Sequence, residues 1–100
     1  MQIYFENKDL LELLKNKKPP KGIPPDVLKS YQKTIEIIKA AKDQRDIRAY
    51  KSFHLEKMKE FPDGRHSIRL TGKWRLFILF ENVKNENCVV VISMNNHYGD

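Results

Sequence analysis

The sequence predicts an α+β fold, two N-terminal helices packed on a small twisted, mainly antiparallel β-sheet. Three observations predict it. Apolar residues recur at helical steps in two segments before residue 43, and a proline-rich loop joins the segments. From Arg65 the pattern changes to strict alternation, and then to two nearly continuous apolar runs with turn signals between them. One hundred residues, 40% of them hydrophobic, suffice for one modest two-layer core and leave no room for a second, so residues 1–100 are expected to form a single domain.

Gln2-Ile3-Tyr4-Phe5 reads as a short strand. Asn7 is a helix N-cap, with Asp9 favourable in the first turn. Leu10, Leu11, Leu13 and Leu14 form one apolar face of a helix ending near Lys17, and Pro19-Pro20 stops it. From Asp26 to about Lys42, Val27, Leu28, Tyr31, Ile35, Ile38 and Ala41 recur at three- and four-residue steps. Residues 46–52 read as a short helical turn, and Phe53-His54-Leu55 as a bridge onto the sheet. Pro62-Asp63-Gly64 is a turn. In Arg65–Leu70, His66, Ile68 and Leu70 share one face and Arg65, Ser67 and Arg69 the other. A tight turn at Thr71-Gly72 leads into Trp74–Phe80, and residues 82–87 connect that run to Cys88–Met94. With connections this short, the three strands make an antiparallel meander.

The net charge is +6, with a pI near 9.5 and a mean hydropathy of −0.64. The excess is concentrated. Residues 48–75 hold eight basic side chains against three acidic ones, a balance of +5. Such a field attracts polyanions, although an inert basic surface has the same composition. No apolar run approaches the ~18 residues of a membrane span, and the acidic residues Glu6, Asp9 and Glu12 are foreign to a signal peptide. The single cysteine, Cys88, forms no intrachain disulfide, and no Cys/His set has zinc spacing. A cytoplasmic protein with a buried thiol, no metal and no cofactor is the simple expectation.

The meander carries a geometric consequence. Arg69 ends one strand and Arg75 begins the next, while antiparallel pairing brings Met94 or Asn95 beside Arg75. Arg69, Lys73, Arg75, Asn95, Asn96, His97 and Tyr98 then share one rim, and Arg65, about 14 Å along its strand at ~3.4 Å per residue, extends a basic track. Arginine grips a phosphate through two hydrogen bonds and does not titrate. Histidine exchanges protons near neutral pH, and tyrosine stacks on bases. The set suits RNA cleavage through the 2′-hydroxyl, which needs a base, cations and an acid but no metal. Each residue also has a plainer reading. Arg75 pairs with Glu81 or stacks on a ring, His97 is a tail residue, Tyr98 packs under the sheet edge, Asn95 and Asn96 are turn residues, and His54 and His66 are partly buried structural histidines.

In this order and spacing the residues resemble a HigB-type toxin of the RelE/ParE superfamily, the plasmid maintenance killer family, over nearly the whole length. Gly22-Ile23-Pro24-Pro25-Asp26-Val27 resembles the family's glycine-apolar-proline approach to its second helix. His54-Leu55-Glu56-Lys57 resembles its His-x-x-Lys segment, Trp74-Arg75 its strand start, and Asn96-His97-Tyr98 its closing Asp-Tyr-His. The resemblance implies a RelE-like domain that enters the ribosomal decoding site on the 30S subunit, against rRNA, and cuts mRNA there. It implies a HigA-type helix-turn-helix antitoxin as partner, with operator DNA bound only through the antitoxin complex, and no membrane. By carry-over, Lys57 stabilises phosphoryl charge or assists proton transfer, Arg75 binds the scissile phosphate, and His97 transfers or orients a proton. His54, Lys59, Arg65, Arg69, Lys73, Asn95, Asn96 and Tyr98 complete the RNA-binding set. The chain departs from the family in two places. Asn95 and Asn96 stand where it has an acid and a tyrosine, and asparagine is no general base. The chain is also longer through Met58–Pro62, which makes Lys59 the alternative to Lys57.

Two other readings belong to different classes. A ParE-like inhibitor of DNA gyrase is compatible with the same fold, but has no chemical need for a terminal His-Tyr. A non-enzymatic RNA-binding module fits the charge, but the sequence holds no RNP or KH pattern.

Overall fold

The structure is a computed structural model describing residues 1–96. Strands β1 (Gln2–Phe5), β2 (Glu56–Lys57), β3 (His66–Arg69), β4 (Arg75–Val83) and β5 (Glu86–Asn95) form one sheet in the order β1-β5-β4-β3-β2. The expected meander is its centre, β3-β4-β5, antiparallel throughout. β1 adds in parallel to β5, and β2 closes the other side. The fold is therefore α+β with a five-stranded mixed sheet.

Helix α1 (Lys8–Glu12) begins where the Asn7 side chain accepts the Asp9 backbone N–H at 2.8 Å. It tightens into a 3₁₀ turn over Leu13–Lys15, short of the expected end near Lys17. Helix α2 (Pro25–Ala40) starts on a proline, whose fixed φ suits a first helical position. Its Val27, Leu28, Tyr31, Ile35 and Ile38 are buried at the expected spacing. The Tyr31 hydroxyl donates to the Leu10 carbonyl, and Gln32 Nε2 donates to the carbonyls of Leu13 and Asn16, so α1 and its 3₁₀ extension are tied to α2. Burial holds the Tyr31 phenol protonated well above its usual range. The short turn expected at 46–52 is two elements, α3 (Gln44–Arg48), capped by the Asp43 carboxylate, and a 3₁₀ turn over Lys51–Phe53. Among the described residues no helix is long and apolar enough to cross a membrane.

The core lies between these helices and one sheet face, where Ile68, Leu76, Ile78, Val89 and Val91 meet α2 and Ile47. Alternation puts Arg69 and Arg75 on the other face, next in sequence to Ile68 and Leu76. Two local features set the register there. The connection between β4 and β5 is tighter than the expected 82–87. Lys84 and Asn85 alone make the turn, at φ 51° and 66°, the signature of a type I′ hairpin whose twist matches its strands. A bulge then shifts the pairing between Phe77 and Ile78, leaving Ile92 as the extra residue of β5. Were Ile92 paired in an unbroken register, Arg75 would face Met94. With the bulge, Arg75 faces Asn95 and Met94 joins the core side.

Candidate nucleic-acid interface

Three side chains stand in one cross-strand row at the end of the sheet. Arg69 pairs with Arg75 between β3 and β4, and Arg75 pairs with Asn95 between β4 and β5. The turn from β3 to β4 positions the middle member. Leu70 N–H donates to the Trp74 carbonyl at 2.9 Å, closing the turn. Arg75 Nη1 donates back to the carbonyls of Thr71, Gly72 and Trp74 at 3.1, 3.4 and 3.2 Å. These bonds orient the guanidinium at the strand start. Lys73 is exposed at the tip of the same turn, and Asn96 is exposed just past β5.

His54 joins the row from another element. Its Nε2 lies 3.4 Å from Arg69 Nη1. The residue ends the Lys51–Phe53 turn with a left-handed backbone, φ 45° and ψ 50°. A non-glycine residue held there costs about 1 kcal/mol or more. The expectation of a partly buried structural His54 is corrected, because the side chain is exposed and the segment's left-handed turn carries it out to Arg69. No glycine or turn dipeptide marks this conformation. His66 is partly buried as expected, packed edge-on against Phe80 at 5.0 Å. Its imidazole is held below the usual range, chiefly by burial and then by the charge of Arg48.

Other candidates stand apart from the row. Lys57 pairs with His66, three residues along β3 from Arg69, roughly 10 Å away and on the alternate face. Lys59 lies in the turn beyond β2. Arg65 donates to Asp63 at 2.8 Å and its guanidinium lies 4.1 Å from the centre of the Phe61 ring, so its charge is already engaged. That pairing holds the Asp63 carboxyl below its usual range. His97 and Tyr98 lie outside the described residues. Among the described residues no group of three or more His, Cys, Asp and Glu side chains is arranged to hold a metal ion.

A row of arginines across the end of a sheet, backed by helices on the other face, defines a small basic α+β protein with a surface suited to a phosphate backbone. Residues 3–97 match the model of the HigB-like toxin family, described as the RelE-like toxin of the type II toxin–antitoxin system HigB. The chain belongs to this family. It is thus the toxin of a type II toxin–antitoxin pair, and has an antitoxin as partner. No curated protein matches the chain.

Proposed function

We propose that this toxin is a ribosome-dependent endoribonuclease that stops translation and growth by cutting mRNA in the decoding site of the 30S subunit. The observation that carries the reading is the Arg69–Arg75–Asn95 row with His54 against Arg69.

The reaction is an attack of the ribose 2′-oxygen on the adjacent phosphorus. A base removes the 2′-proton, the bond to the 5′-oxygen breaks, and that oxygen takes a proton. The products are a 2′,3′-cyclic phosphate and a 5′-hydroxyl, and no step calls for a metal or cofactor. Arg75 grips the scissile phosphate, and Arg69 shares the charge that grows on its oxygens. His54 and His97 are the two proton-transfer groups. His54, held 3.4 Å from Arg69 Nη1, stands at the row where the 2′-proton would leave. Asn95 and Asn96 orient ribose or base edges, Tyr98 stacks, and Lys73 draws in the backbone. Lys59, in the turn beyond β2, holds a flanking phosphate, while Lys57, on the alternate face, stands outside the row. An open row cannot itself align the 2′-oxygen, phosphorus and leaving oxygen, and the ribosome supplies that alignment, a contribution of several kcal/mol. A HigA-type helix-turn-helix antitoxin blocks access to the ribosome, and the pair binds operator DNA through the antitoxin.

The test is purified toxin on a defined message, free and bound to ribosomes with an empty decoding site. Cutting confined to the ribosome-bound message, with 5′-hydroxyl products, is expected. Equal cutting of free message removes the ribosome from the account. No cutting, with DNA gyrase inhibited instead, replaces it with a ParE-like activity.

A further inference from the structure

β2 spans only two residues, so β3 is unpaired on that side beyond Ser67, and its far end meets the Lys51–Phe53 turn. Between this turn, α2 and the end of β3 lies a cleft of about 220 Å³. Ser30 of α2 donates to the Leu70 carbonyl at 2.7 Å and fixes one wall to the strand. The other wall is an aromatic pair. Tyr50 stacks on Phe53 with centroids 5.1 Å apart and planes 20° apart. Phe53 is buried while Tyr50 stays 45% exposed, so a large flat ring is held in place and still open to solvent. Two cations line the cleft, Lys33 and Arg69, and no carboxylate does. The buried Thr34 and the exposed Ser52 add hydroxyls.

A fixed exposed ring in a cleft that also carries two cations is how proteins hold unpaired nucleotides, the ring taking the base and the cations the backbone. Arg69 also links the cleft to the basic row, since its cross-strand partner is Arg75, only about 5 Å away. Resting on the nuclease reading above, we propose that this cleft is a subsite for one unpaired RNA base, a single nucleotide from the cut. The base stacks on Tyr50, and Lys33 and Arg69 hold its flanking phosphates. The subsite then contributes affinity beside the cleavage point without belonging to the proton-transfer machinery.

The test uses the full chain and an RNA hexanucleotide carrying 2-aminopurine, whose fluorescence is quenched by stacking. Wild type, Tyr50→Phe, Tyr50→Ala and Lys33→Gln are compared for quenching and Kd, and for kcat/KM on ribosomes carrying message. Wild type and Tyr50→Phe are expected to quench alike, while Tyr50→Ala loses the quench, binds about tenfold more weakly and cuts more slowly by a similar factor. Lys33→Gln, exposed on α2 and independent of the Tyr50–Phe53 stack, lowers the slope of log Kd against log salt by about 0.7, one phosphate contact. Unchanged binding and cutting in both Tyr50→Ala and Lys33→Gln overturn the subsite while leaving the nuclease reading intact. Quenching that depends on Tyr50 in a protein that cuts nothing on ribosomes supports the subsite and removes the nuclease reading.

Discussion

Arg69 and Arg75 are direct cross-strand partners, two permanent cations facing each other on neighbouring strands. Like charges so placed weaken a sheet, and a residue there for stability alone would be neutral and β-branched. Arg69→Thr is expected to raise stability by about 0.5 kcal/mol and to lower cutting at least tenfold. Urea unfolding and cleavage of ribosome-bound message, measured on the same preparation, check both. A variant that loses stability and keeps activity contradicts the assignment.

The Arg75 guanidinium is oriented by three carbonyls of its own turn. A lysine keeps the charge but cannot bond those carbonyls and a phosphate through one planar fork. Arg75→Lys is therefore expected to lower kcat by about 100-fold, the scale of one lost transition-state donor, with the melting temperature little changed. Activity within a few-fold of wild type shows that charge alone suffices.

His54 occupies a left-handed backbone that glycine accepts freely. His54→Gly is expected to raise stability by about 1 kcal/mol while abolishing most of the cutting. His54→Gln keeps the strain and also loses activity. Lower stability for the glycine variant means that contacts of the imidazole outweigh the strain.

Acid stability tests His66. Burial first, then the charge of Arg48 and more weakly Lys57, hold its folded-state pKa below the ordinary value, with the Gly64 backbone opposing. As pH falls below about 6.5 the unfolded chain takes up the proton first, so stability falls with pH until the folded-state pKa is passed. Above that window this group adds no pH dependence. His66→Phe, which keeps a ring against Phe80, is expected to flatten the acid limb of a stability–pH profile just below about pH 6.5. An unchanged slope assigns the acid sensitivity to other groups.

The periodic elements were legible from residue order because their causes are local. Apolar residues of α1 and α2 recur at helical steps, β3 alternates, and Thr71-Gly72 breaks the run. The three-stranded centre and the meeting of Arg69 and Arg75 beside Met94 or Asn95 follow from that pattern. What stayed hidden is non-local or lacks its usual marker. The parallel pairing of β1 with β5 joins distant segments. The type I′ turn uses Lys84-Asn85 where glycine is the usual sign. Ile92 is an ordinary strand residue until the register on both sides of it shows the bulge. His54 reaches Arg69 only because its backbone turns left-handed, and Tyr50 and Lys33 line one cleft only after α2 and the 51–53 turn pack together.

The most direct measurement of the central claim is inducible expression in a bacterium, with 5′-end mapping of total mRNA soon after induction. Wild type is run beside Arg75→Ala and Arg69→Thr, with and without an inhibitor that empties the decoding site. The account predicts new 5′ ends inside translated frames, absent from the Arg75→Ala culture, reduced in Arg69→Thr and suppressed by the inhibitor. Growth arrest with intact messages, or the same cuts in Arg75→Ala, would contradict it.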